Sequence, residues 1–369
     1  MNARKTARAL FPWIVGASLF CFFALGKASC GQLAAQVNQQ HDWPVYGGAP
    51  EANHYSSLTG INRGNVRQLK IAWSYDTGES GGLQTSPLIV GGVLYGLTPS
   101  QKVFALDAAT GRELWKFDSG VRGTQPDRGL AYWSGDAGKR VLVGISNFLY
   151  ALDASTGKPI GSFGSQGRID LRENLGREPA SAQSIYLTSP GIVYKDLIIV
   201  GGRNPESLPA PPGDVRAFDV RTGKLRWTFH TIPRPGEFGY ETWPKDAWKT
   251  SGAANNWAGM ALDSERGIIY VPTGSAASDF YGGDRLGSNL FANCLLALNA
   301  ETGERIWHFQ AVHHDLWDRL PRSACIVDDK ARRKGNRGCR TNLKTRLRVS
   351  LRSCQRKTAV PYRKPQISF

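Results

Sequence analysis

ALDAATGRELWKFD, residues 105–118, holds a strand, a turn and a second strand in fourteen residues. The phrase returns as ALDASTGKPIGSFG at 151–164, AFDVRTGKLRWTFH at 217–230 and ALNAETGERIWHFQ at 297–310. Each turn opens on Asp107, Asp153, Asp219 or Asn299 and closes four residues later on Gly111, Gly157, Gly223 or Gly303. An Asp or Asn side-chain oxygen can bond its own backbone two or three residues on, and glycine supplies the positive φ that ends the turn. Trp115, Trp227 and Trp307 stand in the return strand of three copies, where a large flat side chain can dock one unit on the next. The second copy has Gly161 there. A recurring hairpin of this kind predicts a propeller or a solenoid.

The copies begin 46, 66 and 80 residues apart, which is room for four strands plus insertions. Another pair of apolar strands precedes each, in SPLIVGGVLYGLT (86–98), RVLVGISNFLYALD (140–153), GIVYKDLIIVGG (191–202) and GMALDSERGIIYVPTG (259–274). The Gly-Gly, Lys-Asp and Glu-Arg-Gly steps inside them read as hairpin turns. Four units account for residues 73–310. Insertions at 203–214 and 276–289 are candidates for site-building loops on a rigid scaffold.

Between the repeats lie five motifs in order. They are DWPVYGG followed by YSSLTGINRGNVRQLKIAWSYDTG (42–78), DRGLAYW (127–133), LTSP (187–190), NNWAGMALD (255–263) and HHDLWD (313–318). In these the chain resembles the dehydrogenases that depend on pyrroloquinoline quinone (PQQ), the quinoprotein glucose and alcohol dehydrogenases. The resemblance covers residues 42–319. It implies an all-β fold, a β-propeller of eight blades in the family, of which this chain supplies about four as an open arc.

It also implies a chemistry. PQQ is a flat, tricarboxylated ortho-quinone that accepts two electrons from a sugar, polyol or alcohol carbon. The family's stacking tryptophan falls on Trp257; the bland alternative is one more blade-docking indole. The arginine of the DRGLAYW motif falls on Arg128, expected to pair with a quinone oxygen or carboxylate unless it is an ordinary surface charge. Thr188 and Ser189 match positions that hydrogen-bond the cofactor's carboxylates, or they simply end a strand. Gln84 stands where methanol dehydrogenase-like members carry Glu. Asp315 is the expected general base, with Asp318 of the same motif as the second candidate; as a bland alternative, Asp315 caps a turn. His313 and His314 are read as packing or orienting residues. A divalent metal, expected to be calcium held by oxygen ligands, is carried over to Asn204, Glu206 and Ser275. The HHDLWD and NNWAGMALD wording is closer to membrane glucose dehydrogenases than to methanol dehydrogenases. No Cys-x-x-Cys-His haem motif is present, so electrons are expected to leave to a quinone or a separate carrier. A non-catalytic scaffold propeller is the alternative, disfavoured by the ordered site motifs.

The charge of +16 is uneven. Residues 320–369 hold 15 Lys/Arg against 2 Asp/Glu, no Trp and no turn motif. A basic nucleic-acid or membrane-binding arm and a disordered tail are two readings. A third fits better, that the tail is translated out of frame. Synonymous codons for residues 339–364, read one base later, permit VAQTSKQGFVFLFDRVNGKPLFPIE, which contains a fifth copy of the repeat. The partition expected is therefore 1–30 leader, 42–319 partial propeller and 320–369 out-of-frame tail without a fixed fold. No nucleic-acid partner is expected. Arg4, Lys5 and Arg8 precede an uncharged run at 9–26, the pattern of an export signal. This predicts a periplasmic protein, or one anchored to the inner membrane by its leader.

Overall fold

The computed structural model describes residues 42–123, 125–177 and 184–317 in full, and the backbone of 324–328, 337–342 and 348–352. The leader lies outside the described residues. Four antiparallel sheets of four strands each follow one another along the chain. Blade 1 is β1 (Leu88–Val90), β2 (Val93–Leu97), β3 (Val103–Asp107) and β4 (Glu113–Phe117). Blade 2 is β5 (Ala131–Gly135), β6 (Gly138–Ile145), β7 (Phe148–Asp153) and β8 (Arg168–Asp170). Blade 3 is β9 (Ile192–Tyr194), β10 (Leu197–Val200), β11 (Val215–Asp219) and β12 (Leu225–Phe229). Blade 4 is β13 (Ala261–Asp263), β14 (Ile268–Pro272), β15 (Cys294–Asn299) and β16 (Arg305–Gln310). No sheet is closed on itself, and the one α-helix among the described residues is a single turn, α1 (Ala247–Thr250).

The turns form as their residues dictate. Asp107 Oδ1 accepts from Thr110 N at 2.9 Å and from its hydroxyl at 2.8 Å, and Gly111 N donates back to Asp107 O at 2.8 Å. Asp153 and Asp219 repeat this with Thr156 and Thr222. Asn299 accepts from Thr302 N at 3.1 Å. The four closing glycines have φ of +73°, +70°, +74° and +76°.

These glycines also receive the tryptophans. A Cβ on Gly111 would lie 2.6 Å from the Trp73 ring, on Gly157 2.4 Å from Trp115, and on Gly303 2.5 Å from Trp227. Each indole therefore docks on the turn of the following blade. In all three tryptophan copies the indole faces a small residue across the hairpin: Ala105, Ala217 and Ala297 lie opposite Trp115, Trp227 and Trp307. The register shifts at the next pair each time. Gly157→Ala should lower stability by about 2–4 kcal/mol, from left-handed strain plus overpacking against Trp115. The shift in a urea unfolding midpoint measures it, and an unchanged midpoint would refute the docking.

The second copy departs from the hairpin the repeat predicts. After its turn the chain makes one bridge, Leu152↔Pro159, and detours before β8 pairs with the far end of β7. Pro159 offers no N–H to a ladder, and no tryptophan anchors this return strand. Gly223 accordingly meets the Gly164 backbone and Ile169 in place of an indole.

Alternation along the central strands builds the core between blades. Val141, Val143 and Ile145 join Leu88 and Leu97 of blade 1, while Leu142 between them joins Ile198 and Val200 of blade 3. Ile199 turns the other way, onto Leu262 and Val271 of blade 4. The opening segment stitches across the arc: Trp43 pairs with Ile89 of β1, and Pro50 O accepts from Leu262 N of β13.

Beyond blade 4 the sequence predicted no fixed fold. There β17 (Ala324–Asp328), β18 (Arg337–Asn342) and β19 (Arg348–Arg352) form a three-stranded antiparallel sheet, with β17 against β13 and β14. The apolar run Ala324–Val327 is the strand-competent stretch in this basic region.

Candidate functional site

In blades 2 to 4 the residues before the innermost strand and those after the second strand emerge at the same end. These loops enclose a cavity of about 350 Å³. Its lining unites Arg128, Thr188, Asn204, Glu206, Trp257 and Ser275, six of the ten residues singled out from sequence. The volume lies in the range of small-molecule pockets.

Trp257 is placed by its neighbours. Asn255 Nδ2 donates to Gly202 O at 2.6 Å, and Asn256 Nδ2 donates to Pro272 O at 2.6 Å and Gly259 O at 3.0 Å. Two side-chain amides thus fix the loop on blades 3 and 4, and the indole between them is left half-buried in the cavity wall. It lies beside no turn glycine, unlike Trp115 and Trp227. Arg128 Cζ lies 5.4 Å from the Trp257 ring centroid, and its Nη1 donates to Thr188 O at 2.8 Å. The guanidinium is thereby braced between a π face and a carbonyl, with its remaining donors available.

Thr188 and Ser189 were expected to bond a cofactor directly. Their hydroxyls donate to Trp257 O, at 3.3 and 2.8 Å. Thr188 lines the cavity; Ser189 is buried and does not. Gln84 lies in an adjoining smaller pocket.

The expected metal ligands present oxygens of unequal freedom. The Asn204 amide donates to Pro211 O and Pro212 O at 2.8 and 3.0 Å, which leaves its carbonyl oxygen as an acceptor. Glu206 is paired with Arg203 at 3.1 Å. Ser275 is buried, its hydroxyl 3.5 Å from Asn293 Oδ1. Carbonyl, carboxylate and hydroxyl oxygens are the donor set of a hard cation. Among the described residues no group of three or more His, Cys, Asp or Glu could hold a metal.

Asp315 is not in the cavity wall. It is 3% exposed, and Arg285 Nη2 donates to its Oδ1 and to its backbone oxygen, both at 3.1 Å. Arg285 Nη1 donates to Asn289 at 2.7 Å. Asp315 is therefore one half of a buried ion pair that ties the HHDLWD loop to the 276–289 insertion. His314 Nδ1 lies 2.7 Å from Gly287 O and supports the same tie. Asp318 lies outside the described residues.

Sequence reasoning passed over three charged groups here. Arg203 bridges Gln125 and Glu206 across the cavity, and Asp279 lines it. Asp127, one residue before Arg128, is buried at 6% exposure, with one carboxyl oxygen unpartnered. Arg203 directly precedes the Asn-Pro-Glu triplet, and Asp127 opens the DRGLAYW motif; position within those motifs was the available signal.

In this β-propeller the loops at one end thus converge on an indole, a braced guanidinium and a set of oxygen donors. The family model described as "PQQ: Glucose/ethanol/alcohol dehydrogenase, beta-propeller domain" matches residues 43–337. The chain belongs to this family of PQQ-dependent dehydrogenases. It is 34% identical to quinoprotein glucose dehydrogenase A of Acinetobacter calcoaceticus, over 79% of this chain and 40% of that protein. It is 33% identical to the dehydrogenase subunit of the quinone alcohol dehydrogenase of Acetobacter aceti, over 79% of this chain and 41% of that protein. Among solved structures, the quinohemoprotein alcohol dehydrogenase of Comamonas testosteroni superposes with a TM-score of 0.73 at 27% identity, covering 87% of this chain and 49% of that one. The chain thus spans about 40% of the length of these curated relatives.

Proposed function

We propose that this chain carries the first half of a PQQ-dependent dehydrogenase site for a sugar, polyol or other alcohol. The observation that supports it most is the convergence of Arg128, Thr188, Asn204, Glu206, Trp257 and Ser275, far apart in sequence, on one cavity. The lining fits the cofactor: a flat apolar indole for a flat ring, a cation for its carboxylates, and oxygen donors for a divalent ion, proposed to be calcium. Bound PQQ supplies the two-electron oxidant. Trp257 forms the floor, Arg128 holds negative charge, and Thr188 and Ser189 act by fixing the Trp257 backbone. Asn204, Glu206 and Ser275 hold the metal, for which Glu206 exchanges its Arg203 partner.

A carboxylate of HHDLWD takes the substrate hydroxyl proton. Asp315 has one oxygen committed to Arg285 and does not line the cavity, so Asp318 is proposed for the role. The residues after 319 are proposed to be translated out of frame, as their composition suggests. The leader is proposed to export the protein to the periplasm or to hold it at the membrane; among the described residues no helix is long and apolar enough to cross one. A quinone or a separate carrier is proposed as electron acceptor.

Titration with PQQ in the presence of calcium tests the reading. Tryptophan fluorescence should be quenched on binding, and Trp257→Ala should weaken binding by at least about tenfold, one stacking contact. Absence of any saturable quenching in the wild type would refute it.

A further inference from the structure

The cavity at Trp257 has a smaller neighbour of about 150 Å³, and Gln125 and Pro126 line both. It lies at the same end of blades 1 and 2, between the loop before β1, the loop after β2 and the loop before β5. Two buried side-chain atoms of its lining have no hydrogen-bond partner, Asp127 Oδ2 and Thr85 Oγ1. The other Asp127 oxygen accepts from Gly129 N at 3.0 Å. Gln101, in the same wall, is already satisfied by Gln125 O and Ser146 N.

A buried unpaired carboxylate is costly, and such a group ordinarily keeps its proton. Burial pushes Asp127 well above the usual carboxylate range, against smaller opposing effects of the Gly129 N–H and the Arg128 charge. The titratable and charged groups that face it are Arg128 and Tyr46 of the opening segment, whose own hydroxyl is raised by burial. Protonated Asp127 and the Thr85 hydroxyl are then two donors in one pocket without an acceptor. A metal cation would need acceptors, and it would sit beside Arg128. An oxyanion meets both demands.

We propose that this pocket receives one carboxylate of the tricarboxylated quinone, bound by Asp127 as a neutral acid and by Thr85. The proposal rests on the PQQ reading above and adds two cofactor-binding residues to it. It makes cofactor affinity depend on a proton. Binding is strongest while Asp127 is protonated, and it is lost as pH rises through the Asp127 pKa, because carboxylate then faces carboxylate.

The test is PQQ binding to the 369-residue chain, read by tryptophan quenching from about pH 5 to about pH 9, the span in which raised carboxyl groups titrate. Wild-type affinity should fall by about tenfold per pH unit above the Asp127 midpoint, the slope of a single linked proton. Asp127→Asn keeps the shape and a donor, so it should bind with a flat profile. Thr85→Val should weaken binding by about two- to tenfold at the acid end, one neutral hydrogen bond. The trimethyl ester of PQQ, which lacks the anionic carboxylates, should bind more weakly and show no pH slope. Identical pH profiles for wild type and Asp127→Asn would overturn the proposal, as would undiminished binding of the ester. If Asp127→Asn does not fold, judged by its thermal melt, the ester and Thr85→Val decide. A wild type that binds no quinone at any pH would instead bring down the PQQ reading itself.

Discussion

Expressed as its 369 residues, the protein is expected to give no dye-linked oxidation of glucose, polyols or ethanol with PQQ and calcium. A version whose frame is restored after Arg319 is expected to turn over. The described cavity is lined from blades 2 to 4, and the chain spans about 40% of its curated relatives. A cofactor on a propeller axis takes hydrogen bonds from all sides. Losing two or three charge-assisted bonds of roughly 1.5–3 kcal/mol each amounts to at least about a hundredfold in rate. An open side also admits water and weakens preorganised electrostatics. The gene supplies an independent check, because the codons for residues 339–364 should spell a repeat one base over. Activity of the 369-residue chain comparable to the restored one would defeat this account.

In the restored enzyme the two carboxylates of HHDLWD should separate cleanly. Asp315→Asn leaves the buried Arg285 charge without its counter-ion and should cost about 3–5 kcal/mol of stability. Its melting temperature should fall, and activity should follow the folded fraction. Asp318→Asn should keep the fold and the cofactor while cutting turnover by about 10²–10⁴, the worth of a positioned base. If Asp315→Asn melts like wild type and is inactive, Asp315 is the base after all.

The repeats were legible because their information is local. Asp107, Thr110 and Gly111 complete their own turn within five residues, whatever surrounds them. The fourth strand of blade 2 was not, since Pro159 and the missing indole weaken the hairpin and distant pairing with Phe148 decides where β8 lies. The site was legible where a residue belongs to a motif, as with Trp257 and Arg128. It was illegible where a role comes from a distant partner. Asp315 reads as a free carboxylate until Arg285, thirty residues earlier, is brought against it. Asp279 carries no local pattern at all.

The indole-to-glycine docking gives the arc a polarity. Trp73, Trp115 and Trp227 are plugs that point forward along the chain, and Gly111, Gly157 and Gly303 are their sockets. The first socket, Gly111, is already filled by Trp73 of the opening segment. At the other end, among the described residues no glycine turn receives Trp307. Two copies therefore cannot join simply by meeting, because the plug of one finds the socket of the other occupied by its own chain. Joining requires the opening segment to peel away and yield its place. That exchange would be a domain swap, and as a head-to-tail contact it yields rings or filaments and no two-fold dimer. Aggregates of this protein should accordingly grow by strand exchange at Gly111, and a link that holds Trp73 in place should suppress them.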